Sequence, residues 1–370
     1  MNAQRLGTLI RLDLTQRTRS VAWYVLLSVF ALLLVIVSVL SFLGWQWVPE
    51  PGAAIYSTVV AFTLLLVVLV SPTFSGNAIN GDREAATLAP VQVTLATTGE
   101  IVIGKFLAAW IAGLAFVAVS VPFLVIATLA GGVDPITVVI SLAVLVIEIG
   151  VLAAIGVALS GILSRPLFSV ATAYLVVAAL VIGTLIAFAL AGATIRTETT
   201  HQTRTYDWSS VGPDDDPPCA PGQSSTAAYP CNEDIECGAW ETYTSETPRF
   251  DRVWWMLAPN PFVILGDAAP GRFDANGNPQ DVFSQLKTGI AYAQKPPELE
   301  TRWDECAPLS WTEQDYQTPE EVVAQSVPSW FVGLGLQIVL AGGLLAWAWA
   351  RTRTPASKIF QNIGHPRGFR

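Results

Sequence analysis

Six stretches of the chain are almost free of charged positions: residues near 21–44, 53–76, 107–131, 135–164, 167–193 and 329–350. Each runs to about 20 residues or more, enough at 1.5 Å per helical residue to cross a hydrocarbon layer of roughly 30 Å. The pattern predicts an all-α polytopic membrane protein with six transmembrane helices. Glu148 is the one ionisable residue deep within these runs. The first run, "VAWYVLLSVFALLLVIVSVLSFLG", is too long for the apolar region of a signal peptide and lacks a small-x-small cleavage site, so it reads as a retained span. Ahead of it, residues 1–19 place Leu6, Leu9, Ile10 and Leu14 at helical spacing among four arginines, including Arg5 and Arg11. That spacing predicts an amphipathic helix in the membrane interface, its arginines on anionic headgroups. Trp45, Trp47 and Trp330 fall at one set of span ends and Trp23, Trp347 and Trp349 at the other, where amphipathic rings anchor.

Between the fifth and sixth runs the pattern changes. Residues 194–248 are rich in Thr, Ser, Pro, Gly and Asp and read as loops held by disulfides. "RVWWMLAPNPFVILGDAAP" (252–270) turns apolar but is broken by Pro259 and Pro261. It predicts two short segments leaning on the membrane face or packing onto the spans. The boundaries are then 1–19 for the interfacial helix, 20–193 for five spans, 194–328 for an extracytoplasmic domain, 329–350 for the sixth span and 351–370 for a cytoplasmic tail. No repeat relates the first three spans to the last three, which argues against a secondary transporter.

Composition agrees with the pattern, at 52% hydrophobic and 13% charged residues. Charge adds orientation. Segment 194–328 holds 22 of the 29 acidic residues and only 8 of the 20 basic ones. The other 12 basic residues all fall where six alternating crossings put one side of the membrane. The positive-inside rule makes that side cytoplasmic, with both termini, in a cell membrane. All four cysteines, Cys219, Cys231, Cys237 and Cys306, lie in the segment assigned to the outside. They favour two disulfides over a zinc site, with three pairings open. "DDD" at Asp214–Asp216 lacks the spaced ligands and glycine of a calcium loop and reads as a solvated turn.

The chemistry offered is sparse. "GEIVIGKF" (99–106) has the glycine and lysine spacing of a phosphate-binding loop, but Phe106 stands where a Mg²⁺-binding hydroxyl belongs and a membrane span follows. Lys105 is better read as a snorkelling residue whose charge sits at the inner headgroups. The two histidines, His201 and His365, fall on opposite sides of the membrane, so no nucleophilic triad forms from them. The expectation is a chain that is not an enzyme, binds no metal and has no nucleic-acid partner.

The connection between the second and third spans is more informative. In "NGDREAATLAPVQVTLATTGEIVIGKFLAAW", Asp82, Arg83 and Glu84 open a short helical segment that Pro90 ends. With Thr87, Leu88, Gly104 and Lys105, this resembles the signature between the second and third helices of permease subunits of ABC exporters, the ABC-2 superfamily. The six spans, the N-terminal amphipathic helix and the interrupted segment before the last span match that family too; the size of 194–328 departs from it. The resemblance implies a coupling helix near 82–97, with Asp82, Arg83, Glu84, Thr87, Leu88 and Pro90 against a separate ATPase subunit. ATP and Mg²⁺ would bind in that partner, with no cofactor in this chain. A second permease copy, identical or related, would complete the path, and an envelope protein is a candidate partner for the outer domain.

Glu148 has two readings. It is either a polar element of the translocation path or a protonated carboxyl bonded to a neighbouring helix. Gly156 and Ser160 give the same helix a small-xxx-small face. A different class of function is also open: a membrane-anchored receptor or assembly scaffold, without transport, whose acidic outer domain binds a partner.

Overall fold

The computed structural model describes residues 2–48, 50–84, 97–207, 212, 216–217, 219, 224–226, 230–232, 236–307 and 317–352. Among the described residues, six helices are long and apolar enough to cross a membrane. They are α2 (Val21–Trp45), α3 (Gly52–Ser75), α5 (Thr98–Leu129), α6 (Pro135–Ile162), α7 (Pro166–Thr194) and α11 (Trp330–Thr352). The chain is a polytopic helical membrane protein. Two further helices lie at the end where α2 begins: α1 (Ala3–Thr18), which precedes it, and the single-turn α4 (Asn80–Glu84).

The six spans are not equivalent. In their most apolar stretches α3 and α6 are 67% and 61% buried, whereas α7 is only 11% buried. α3 and α6 therefore form the axis of the bundle, while α2, α7 and α11 turn apolar surface outward, as helices facing lipid do. From Glu148 to Ile162 α6 is buried continuously. Small residues allow this: at Gly156 an added Cβ would collide with the Ser75 hydroxyl of α3. Trp23, Phe30, Phe74 and Phe116 interlock edge-on between α2, α3 and α5. Trp23 is thus a core residue at 7% exposure rather than a headgroup anchor, while Trp47 at 85% keeps an open position.

The connection between α7 and α11 differs from the loop reading of 194–248. Its first and last parts are strands, β1 (Arg196–Arg204) and β2 (Glu241–Pro248), which pair antiparallel with His201 opposite Tyr243. β3 (Glu300–Asp304) joins β1 in parallel, giving the order β2-β1-β3. Threonine-rich strands suit such an exposed sheet. His201 ties the three together through Thr301 Oγ1 at 2.6 Å and Ser245 Oγ at 2.8 Å. Of the three pairings, Cys219–Cys231 and Cys237–Cys306 form. The sheet brings the second pair together: Tyr206 bridges Cys237, and Glu305 N–H donates to the Arg204 carbonyl at 2.9 Å.

The broken apolar segment packs onto the spans as expected. After two short 3₁₀ turns, Asn260 caps α8 (Pro261–Ala268), accepting from the Phe262 N–H at 2.9 Å. The Asn260 amide also donates to Val181 O at 2.8 Å, inside the π-helical turn Ala179–Gly183 of α7. A π turn leaves a carbonyl in need of such a donor. Asp267 in turn caps α11, accepting from the Trp330 N–H at 2.9 Å and from both Ser329 donors. α9 (Val282–Gln294) and α10 (Pro319–Gln325) complete the segment, each opened by a capping box.

Candidate functional site

The densest polar cluster tied to the spans lies at the end carrying α1 and α4, where the signature residues fall. Lys105, two turns into α5, is 14% exposed at its side chain and bridges two carboxylates. Its Nζ lies 2.8 Å from Asp13 Oδ1 of α1 and 2.7 Å from Asp82 Oδ2 of α4. Asp13 also takes Arg17 Nε at 2.7 Å, one helical turn on. Burial alone would raise the Asp13 carboxyl, but Arg17 and Lys105 outweigh it and hold it below the ordinary carboxylate range. The snorkelling reading of Lys105 is corrected here. Asp13 and Asp82 take the ammonium within the protein, so it has no need to reach headgroups.

Arg83 also turns inward. Its guanidinium reaches the carbonyls of Gly161 at 3.4 Å and Leu163 at 3.5 Å, at the C-terminal end of α6. A cation there satisfies carbonyls that the helix leaves unpaired and opposes its dipole. Ser160 holds the same junction from the other side, its Oγ accepting from the Ile79 N–H at 2.9 Å and the Asn80 N–H at 3.0 Å. The turn leading into α4 is thereby fastened to α6, and α4 to α5 and α1. Of the acidic–basic–acidic trio, Glu84 alone is exposed. Thr87, Leu88 and Pro90, and with them most of the 82–97 coupling segment, lie outside the described residues.

"GEIVIGK" is helical throughout. Thr97 and Glu100 form a capping box that satisfies each other's backbone N–H groups at the start of α5. Gly104 has a packing role: a Cβ there would come within 3.3 Å of Leu9, on the apolar face of α1. Glu100 was not singled out from the sequence, yet it is 1% exposed and also accepts from the Asn2 N–H at 2.7 Å, tying the start of α1 to α5. The Thr-x-x-Glu spacing of "TTGE" was the signal for it. Asp13, the other buried acid of this cluster, carried no such signal among the arginines around it. Arg5 and Arg11 lie on the exposed side of α1.

Glu148 is far from this cluster. It is wholly buried between α6 and its neighbours, and its polar neighbour is Gln337 of α11. Among the described residues, no group of three or more His, Cys, Asp or Glu is placed to hold a metal ion. The chain matches no known family, and no characterised protein matches it.

Proposed function

We propose that this chain is the membrane-spanning permease subunit of an ATP-driven exporter of the ABC-2 type, coupled to a separate ATPase. The observation that carries the reading is the fastening of α4: Lys105 joins it to α1 and α5 while Arg83 and Ser160 join it to the end of α6. A short helix held this way cannot be displaced without moving an axial span and a peripheral one. That is what the conversion of a partner's closure into helix tilt requires. Glu84, left exposed, offers the partner a carboxylate at the point of contact. The ATPase subunit brings ATP and Mg²⁺, and a second permease copy completes the path. Both termini are cytoplasmic and 194–328 extracytoplasmic, in a cell membrane, as the distribution of basic residues supports.

Charge reversal of Glu84 tests the reading. Glu84→Lys is expected to abolish ATPase association while leaving membrane insertion and thermal stability unchanged. Association that persists unaltered removes Glu84 from the contact. The receptor or scaffold reading draws support from the sheet, which exposes Tyr243 at 53% and Trp303 at 65%. Large exposed aromatics suit a binding surface. Transport that survives deletion of the sheet would leave the exporter reading intact and give the sheet a separate role.

A further inference from the structure

Glu148 sits midway along α6 with no exposed surface, and neither of its carboxyl oxygens has a hydrogen-bond partner. Gln337, 1% exposed on α11, is the polar side chain beside it, short of hydrogen-bond geometry. Nε2 of Gln337 donates to the Pro259 carbonyl at 2.9 Å. Its Oε1 is a third buried oxygen without a partner. The helices packed on α6 bring no compensating charge to this level. α3 and α7 carry none, and the charged residues of α5, α8 and α11 (Glu100 and Lys105, Asp267, Arg351) lie toward helix ends, three of them engaged as described above. A carboxylate here would be an isolated charge in hydrocarbon, the costliest arrangement available to it.

We propose that Glu148 is a proton-binding site, its neutral carboxyl closed with the Gln337 amide into a reciprocal acid–amide pair. The Glu148 O–H donates to Gln337 Oε1, one N–H of Gln337 donates back to the carboxyl C=O, and the other N–H stays on Pro259. One proton satisfies all three orphaned oxygens, and no covalent bond forms or breaks apart from the O–H that holds it. The pair also reaches beyond itself. Pro259 adjoins Asn260, which caps α8 and holds the π turn of α7. With the proton bound, α6, α11 and the broken apolar segment are fastened through one amide. Without it, the Glu148 carboxylate and Gln337 Oε1 face each other with no hydrogen between them, so the amide must turn and the Pro259 carbonyl is released. Occupancy by a proton is thereby linked to the docking of that segment.

The test is infrared difference spectroscopy on the full chain in phospholipid vesicles at neutral pH, with thermal unfolding as a second readout. The expected result is a protonated-carboxyl C=O band that Glu148→Gln removes and Gln337→Leu shifts. Glu148→Gln, which keeps a reciprocal amide–amide pair, should melt with wild type, while Gln337→Leu, which strands both the acid and the Pro259 carbonyl, should melt lower. Should Gln337→Leu fail to fold, Gln337→Asn, one methylene shorter, takes its place. A spectrum with no band lost in Glu148→Gln means a carboxylate and overturns the proposal. So does a band that the Gln337 variant leaves unmoved. Neither readout involves an ATPase, so the proton site is judged independently of the exporter reading.

Discussion

The two ends of the helix bundle are fastened by different chemistry. At the end carrying α1 and α4, charged side chains meet one another: Lys105 serves two carboxylates, one of which also takes Arg17. At the other end, Arg272 pairs with Glu50, but the contacts onto the spans themselves run from polar side chains to backbone groups, as with Asn260 at the π turn and Asp267 at the start of α11. Two disulfides secure the sheet beyond. A partly buried ion cluster loses more than one contact when a member is removed, because the partners are left as uncompensated charges. Removing a cap strands backbone groups at one helix end but leaves no uncompensated charge behind. The first arrangement makes several helices move together; the second docks a segment that can be released.

The largest effect tests the disulfide end. Cys237–Cys306 closes a separation of 69 residues and Cys219–Cys231 one of 12. Loop-closure entropy then assigns them about 4 and about 3 kcal/mol. Cys306→Ser should therefore unfold the sheet more readily than Cys231→Ser, as limited proteolysis of the reconstituted protein would show. Equal sensitivity would mean that the sheet does not depend on the longer link.

At the opposite end, Lys105→Met takes from Asp13 and Asp82 the cation they share, leaving Asp13 only Arg17, and should cost on the order of 3 kcal/mol in thermal unfolding. Adding Asp13→Asn to it should restore part of that loss, since the two sites interact directly. Strict additivity would break the description of a cluster. Ser160→Ala should cost about 1–3 kcal/mol, because it leaves the buried Ile79 and Asn80 N–H groups without an acceptor. The loss should concentrate in hydrogen exchange of residues 79–84.

The smallest effect is one of pH. The Asp13 carboxyl is held below its ordinary range in the folded protein, so its contribution is complete at neutral pH. It is lost as pH falls through that lowered value. Acid should thus loosen α1 from α5, read as faster exchange of the Leu9–Leu14 amides, and in Lys105→Met, where protonating Asp13 relieves a buried charge instead of breaking a link to α5, that acid loosening should disappear.

The spans and the packed 252–270 segment were legible because burial in lipid or in the bundle demands unbroken apolar runs. The stretch around α4 was legible in part. Asp82 and Arg83 stood out as charges, but Lys105, which holds Asp82, is shared with Asp13 of α1, and the carbonyls that Arg83 meets lie about 80 residues away in the chain. No local pattern encodes such meetings. The sheet was missed for a related reason. "RTETTHQTR" and "ETYTSETP" bury little, so neither shows a marked apolar face, and β1 finds β3 about 100 residues on. Register, in turn, selected the disulfide pairing that spacing left open.

The central claim is that the fastened α4 is where an ATP-hydrolysing partner acts. Its most direct test is purification of the tagged full chain from its native membrane in gentle detergent, with ATPase activity measured in the eluate, for wild type and for Glu84→Lys. The account predicts a co-eluting ATP-hydrolysing subunit with wild type and its loss with Glu84→Lys, both proteins remaining folded. A wild-type protein that elutes folded and without ATPase activity, whatever the detergent, would contradict it.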